Sequence, residues 1–326
     1  MISKERTIPL TILKLQALLR RLPVTHHKVP LLQENLAKQR SGYQGEKALD
    51  YPLSLLPEKD YYVLHDLRLE DGQHYFQIDT MILSCQFIIM IEVKNIAGSL
   101  YFDENFHQLI RTKDGIETAF PDPLIQLKRQ ERHLQNWLTT KGITNLPIIS
   151  LVVISNEKTI IRTSANYKEA NQKVIHANFL PIKIQQLEKK YKEKRETPKQ
   201  LKKLSRLLIK NTFPLERSIL KQYDITYDEL IKGVFCPECE HKQMKRVYGN
   251  WLCPQCLCKD KHAHLAALDD YLLLNGRTIT NQQMRDFLQI KSANLATRLA
   301  HSLTSKSEGT TRDRVYMLNK KDLTTN

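Results

Sequence analysis

The stretch YFQIDTMILSCQFIIMIEVK, residues 75–94, decides the fold. It holds two apolar runs, Tyr75–Leu83 and Phe87–Lys94, rich in β-branched and aromatic residues and separated by Ser84-Cys85-Gln86. That composition predicts two antiparallel strands. With the turn centred between Cys85 and Gln86, Leu83 faces Ile88, Met81 faces Met90, Asp79 faces Glu92, and Lys94 falls opposite Gln77. Side chains alternate faces along a strand, so Glu92 and Lys94 point the same way, toward Asp79. Two carboxylates opposed on an apolar hairpin repel. A divalent cation between them relieves this, and Mg²⁺ suits carboxylate oxygens best when a phosphate completes its shell. A nearby ammonium can hold an attacking water or stabilise developing charge. Asp79, Glu92 and Lys94 are thus the minimum parts of a metal-assisted phosphodiester hydrolase.

Working outward, Tyr61–Leu67 and Ser99–Asp103 read as further strands, and Asp71-Gly72 and Asp114-Gly115 as hairpin turns. Pro123 opens a helix with Leu124, Leu127, Leu134 and Leu138 on one face, and Ile148–Ile154 is a continuous apolar strand buried on both faces. Lys173–Ala177 reads as one more strand. Residues 1–40 read as short helices broken by Pro23 and Pro30, and residues 41–56 as a helix with Pro52 as a local defect. The expected fold is α/β: a mixed sheet flanked by helices over residues 41–180, with a small zinc ribbon and C-terminal helices beyond it.

The first domain resembles the NERD domain (nuclease-related domain) of the PD-(D/E)XK nuclease superfamily. The likeness rests on Gly42-Tyr43-Gln44-Gly45-Glu46, Gln77-Ile78-Asp79, Ile91-Glu92-Val93-Lys94-Asn95 with Gly98, and Pro123-Leu124-Ile125-Gln126, in that order over about residues 40–160. The resemblance implies a restriction-endonuclease-like sheet, Asp79 and Glu92 as ligands of a catalytic Mg²⁺ or Mn²⁺, and Lys94 as the base-like residue. It also implies Glu46 from the preceding helix and Gln126 from the following one as members of the site. Pro52 bears on how that preceding helix presents Glu46.

Between Cys236 and Cys258 fall five of the six cysteines. Cys236, Cys239, Cys253 and Cys256 form C-x₂-C-x₁₃-C-x₂-C, the pattern of two tight turns that enclose a tetrahedral Zn²⁺. Four cysteine ligands leave no open position, so the expected zinc is structural. Cys258, His241, His262 and His264 lie near as competing donors. Residues 242–251 are expected to supply the ribbon's strand and turn.

The 326-residue chain is 41% hydrophobic and 26% charged, with a formal net charge of +15. No apolar run approaches the ~20 residues a bilayer needs, and no secretory pattern opens the chain, so a cytoplasmic protein is expected. The excess cation favours a nucleic-acid partner, DNA more than RNA, over a membrane. Residues 182–221 alone carry a net +9. Thr197-Pro198-Lys199-Gln200 starts a helix there, with Leu201, Leu204 and Leu208 as an apolar seam. The expected organisation is an N-terminal helical segment (1–40), the nuclease-like domain (41–180), a basic helical linker (181–232), the ribbon (233–265) and a helical module (266–326). Thr280 and Ser292 cap two helices of that module, and Arg312–Leu318 alternates like a strand, which together resemble a helix-turn-helix with a small wing. Asn294, Thr297, Arg298 and His301 would then face a groove. Lys202, Lys203, Arg206, Lys245, Arg246 and Arg298 are the expected nucleic-acid contacts. The function that follows is a Mg²⁺-dependent nuclease, and the alternative is a nucleic-acid-binding or adaptor protein whose nuclease fold has lost turnover.

Overall fold

A computed structural model describes residues 1–319 apart from 73, 165, 216, 240–242, 305 and 311–313. In chain order the elements begin with strand β1 (Ile2–Lys4) and helices α1 (Leu10–Arg21), α2 (Val29–Lys47) and α3 (Asp50–Ser54). Strands β2 (Tyr62–Glu70), β3 (Tyr75–Leu83), β4 (Ile88–Lys94), β5 (Ser99–Asp103), β6 (Gln108–Lys113) and β7 (Ile116–Pro121) lead to helix α4 (Pro123–Thr140). Then come β8 (Ile148–Ile154), β9 (Ile160–Thr163), α5 (Lys168–Lys173), β10 (Val174–His176), α6 (Leu180–Lys190), α7 (Pro198–Lys210) and α8 (Ile219–Gln222). The remainder is β11 (Lys245–Val247), β12 (Asn250–Leu252), β13 (Lys259–Asp260), α9 (His264–Asn275), β14 (Thr278–Thr280), α10 (Asn281–Leu288), α11 (Ala293–Leu303), β15 (Ser307–Glu308) and β16 (Val315–Met317).

The chain divides into two units, Met1–Ile8 with Arg40–Leu215, and Pro9–Gln39 with Glu216–Asn326. The first is built on a mixed sheet in the order β1-β2-β3-β4-β8-β10. β3 pairs antiparallel with β4 in the register expected from the turn, Leu83 with Ile88 and Met81 with Met90. The turn is tied by Ser84, whose hydroxyl accepts the amides of Gln86 and Phe87. β4 then runs parallel to β8, and both are apolar on both faces because both faces are covered. On one face Leu124, Leu127 and Leu134 of α4 and Leu201, Leu204 and Leu208 of α7 pack with Leu64, Leu67 and Met90. On the other, Ile184 and Leu187 of α6 pack with Leu49, Ile89 and Val153. A second sheet, β7-β6-β5-β9, carries the Asp114-Gly115 turn between β6 and β7, with φ of +52° and +76°.

Three expectations change. Residues 41–56 are not one helix: α2 ends at Lys47, and Pro52 lies in the first turn of α3, where its missing N–H has no partner to lose. Pro52 therefore leaves the helix carrying Glu46 intact. Pro30, expected to break a helix, sits at the second position of α2 for the same reason. The basic helical stretch 181–232 is not a separate linker up to residue 215, since the apolar seams of α6 and α7 are core of the first unit.

In the second unit, Phe287, Met284, Leu268, Tyr271, Ala296, Ala300 and Trp251 share one core. Strands β11-β12-β13 make the small ribbon sheet, and β14-β16-β15 a second one beside α9, α10 and α11. Thr280 and Ser292 cap α10 and α11 as expected, and Gln289 takes the left-handed turn (φ +56°) between them. Part of Arg312–Leu318 lies outside the described residues; β16 forms its end. His241 and the first residue of the expected 242–251 strand also lie outside them.

Candidate active site and cysteine centre

The site forms where β3 and β4 part. Their backbone pairing ends at Thr80–Ile91, so Gln77 and Lys94 are not paired as expected. On its other side β3 pairs with β2 at His65–Thr80 and Leu67–Ile78, skipping Asp66 and Asp79. Asp66 has φ +51°, an uncommon conformation for a residue with a Cβ. The Asp79 carboxylate takes over the lost ladder bond by accepting the amide of Val93 at 2.9 Å.

Glu92 is buried, with its side chain 6% exposed. Its Oε1 accepts from Lys94 Nζ at 2.7 Å and from Gln126 Nε2 at 2.7 Å. Lys94 also donates to Gln126 Oε1 at 3.2 Å. Period-2 alternation puts Glu92 and Lys94 on one face, and the Asp122 N-cap and Pro123 start α4 where its first turn presents Gln126 to both. Burial first, then the charges of Glu92 and Glu46, push the Asp79 carboxyl well above the usual carboxylate range. The site thus brings together Asp79, Glu92, Lys94 and Gln126.

Glu46 is carried to the same region by a close helix-strand approach. A Cβ on Gly45 would lie 2.4 Å from Asn95 Cβ and 2.8 Å from Ser155 Oγ, so only glycine fits. The pocket around Glu46 was not visible in the sequence. Arg6, with a side chain 3% exposed, donates to Glu46 Oε2 at 2.8 Å, to His65 Nδ1 at 2.9 Å and to Thr80 Oγ1 at 3.3 Å. Lys4 Nζ donates to the carbonyls of His65 and Asp66. Burial, then the Asp66 carboxylate, raise the Glu46 carboxyl to about 7 despite Arg6. Burial, then Arg6 and Lys4, lower His65 to about 3, so its ring is neutral and Nδ1 is an acceptor.

Gln130 was also missed. Its Nε2 donates to Glu92 Oε2 at 3.2 Å and to the Gln77 carbonyl at 2.9 Å. Its spacing of four from Gln126 puts both on one helix face and was the available signal. Arg6, Lys4 and Asp66 had none, because β1 is three residues long and pairs 60 positions away.

In the second unit, Cys236, Cys239, Cys253 and Cys256 place their sulfurs within 4.8 Å of one another, Cys236 and Cys256 at 3.6 Å. Zn–S bonds of about 2.3 Å in a tetrahedron require sulfurs about 3.8 Å apart. The amides of Cys256 and Gln255 lower the Cys253 thiol to about 7, while the bond to Cys256 raises Cys239 to about 12, so the crowded sulfurs share their protons unevenly. The four thiols therefore fit a structural zinc. Cys258 stands outside this group, and His264 Nδ1 accepts from Trp251 Nε1 at 3.2 Å. Among the described residues the four cysteines are the one set of three or more such donors this close.

Of the expected nucleic-acid contacts, Lys202, Lys203 and Arg206 lie exposed along α7, opposite its buried Leu201, Leu204 and Leu208. Lys245 is exposed, Arg246 half-buried and Arg298 exposed. On α11, Asn294 and His301 are exposed with Arg298, while Thr297 accepts from Asn281.

Residues 41–155 match the family model of the nuclease-related domain, NERD. An uncharacterized protein of Bacillus anthracis is 29% identical over 144 residues, a match covering 43% of this chain and 63% of that protein. No solved structure matches the chain. No helix among the described residues is long and apolar enough to cross a membrane.

Proposed function

We propose that the first unit hydrolyses phosphodiester bonds in nucleic acid with Mg²⁺ or Mn²⁺, and that basic surfaces on each unit contact the substrate. The observation that carries this is the bonded set Glu92–Lys94–Gln126 beside Asp79, at the point where two strands separate. The match of residues 41–155 to a nuclease-related family supports it.

The donor set fits a hard divalent cation. The half-buried Asp79 carboxyl, raised first by desolvation and then by the charges of Glu92 and Glu46, lies in a concentration of carboxylates of the kind that favours such a cation. Asp79 and Glu92 would hold the ion, with the Glu46 carboxylate adding negative charge nearby rather than a third ligand in that set. Such an ion supplies Lewis-acid stabilisation of the phosphoryl oxygens and an acidified water. Lys94, fixed by Glu92 and Gln126, positions the attacking water and stabilises negative charge as it develops. Gln126, bonded to both, sets their distance and offers its amide to water or phosphate. Gln130 keeps Glu92 from turning away. Arg6 fixes Glu46 from behind and balances its charge.

A helix pair with a short turn in the second unit, and separately the exposed basic face of α7 in the first, support DNA as the substrate. A second reading, binding without turnover, draws on Glu92, whose two oxygens already accept three side-chain donors. Cleavage of plasmid DNA and of RNA by wild type, Glu92→Gln and Lys94→Ala, with and without Mg²⁺, separates the two. Metal-dependent cleavage lost in both variants supports hydrolysis. Equal decay in all three proteins defeats it.

A further inference from the structure

The ribbon hairpin and α11 leave a charge problem. Arg246 of β11 pairs in register with Trp251 of β12, and its guanidinium stands 5.2 Å over the indole. Trp251 is buried and tied to His264 of α9 by the bond from its Nε1. The guanidinium is thus held in place, yet its Nη1 is shielded from solvent with no hydrogen-bond partner among the described residues. The neighbouring charge is another cation, Arg298 of α11; burial first, and then Arg298, lower the Arg246 pKa. Among the described residues neither guanidinium has a carboxylate in an ion pair. Both line a cavity of 310 Å³ with Gly249, Leu295 and Leu299.

Two arginines converging on a cavity, one with a buried donor that has no hydrogen-bond partner among the described residues, form an anion receptor. A guanidinium fork matches the oxygens of a phosphate better than a point charge does. The hairpin tip beside it carries Tyr248, fully exposed, in a left-handed turn with Gly249 (φ +42° and +82°). An exposed ring next to a phosphate site suits a stacked base.

We infer that Arg246 and Arg298 clamp one backbone phosphate of a nucleic-acid strand, with Tyr248 stacking on an adjacent base. The anion cavity stands on its own observations; only the source of the phosphate rests on the proposed function. The clamp joins the ribbon and the second helix of the helix pair into a single contact, which neither motif alone implies.

The test uses full-length, zinc-loaded protein and a fluorescein-labelled DNA oligonucleotide, single-stranded and duplex, with Mg²⁺ omitted so that binding is read apart from cleavage. Arg246→Gln and Arg298→Gln are each expected to weaken binding about tenfold or more and to lower the slope of log affinity against log salt by about one. The double variant is expected to lose little beyond either single, because one phosphate is shared. Tyr248→Ala is expected to weaken single-strand binding several-fold without changing the salt slope. Zinc content and circular dichroism certify folding, and Arg246→Lys retains charge should Arg246→Gln unfold. Calorimetry with inorganic phosphate gives the other arm. Phosphate binding lost in the variants with oligonucleotide affinity unchanged would make this a free-anion site and overturn the inference. Unchanged affinity for both probes overturns it as well. A Glu92→Gln protein that binds normally but does not cleave leaves it standing, so the two proposals fail separately.

Discussion

Gly45→Ala probes how the chain brings Glu46 to the sheet. The new methyl carbon would sit 2.4 Å from Asn95 Cβ and 2.8 Å from Ser155 Oγ. Carbon atoms in contact need about 3.5–4.0 Å, so the helix must retreat by roughly 1 Å. Alanine gains roughly 1 kcal/mol over glycine in a helix interior. Overpacking of a tight interface costs about 1–3 kcal/mol, and here both the backbone-linked Asn95 Cβ and Ser155 resist. The steric term offsets or exceeds the helix gain, giving a net loss of up to about 2 kcal/mol in urea unfolding. The functional loss is larger, since a displacement near 1 Å in a catalytic group costs on the order of 100-fold in rate. Cleavage kinetics in saturating Mg²⁺ measure it. Asn95→Gly in the same chain removes the nearest contact and is expected to restore part of both losses. A Gly45→Ala protein that is more stable than wild type and cleaves at the wild-type rate would refute the reasoning.

His65 makes an acid-labile contribution to the stability of the first unit. Its folded pKa near 3 lies below the ordinary value of 6.5, so below pH 6.5 the unfolded chain binds the extra proton and stability falls with pH, by up to about 1.4 kcal/mol per unit. Glu46, raised to about 7, works in the opposite direction over the same range, so the His65 part is read as a difference: from pH 7 to pH 5 the urea midpoint of His65→Gln should rise relative to that of wild type, and equal shifts in the two proteins would contradict this. In the second unit Asp270 accepts from Arg21 at 2.8 Å, both side chains nearly unexposed, and from Arg20. Asp270→Asn strands a buried guanidinium and is expected to cost about 3–5 kcal/mol, read as a lower melting temperature; an unchanged transition would contradict it. Cys253→Ser is expected to abolish one equivalent of tightly bound zinc and the near-ultraviolet signal of Trp251, because a ribbon this small depends on its metal for folding. Full zinc retention would overturn that assignment.

The β3–β4 hairpin was legible because a two-residue turn and period-2 alternation leave a single register that buries both strands. Lys94 and Glu92 followed from that period, and the cysteine set from its spacing. The surroundings of Glu46 were not legible. Arg6 reaches it across 40 positions from a chain start that looks like any polar segment. Asp66 is written in the sequence as an ordinary polar strand residue, and nothing local signals its left-handed backbone. The sheet strands β6 and β7 expose much of both faces, so only their Asp-Gly turn announced them. The apolar seam of α7, Leu201, Leu204 and Leu208, was legible from its spacing, but nothing local says that it packs against the first unit's sheet.

Diffraction from crystals soaked in Mn²⁺, collected to show its anomalous signal, addresses the proposed metal site without any assumption about substrate. The account predicts one anomalous peak bound by the carboxylates of Asp79 and Glu92, with Lys94 Nζ close by and outside the ligand shell, and its disappearance in Glu92→Gln. A peak elsewhere in the first unit, or none at saturating Mn²⁺, would contradict it.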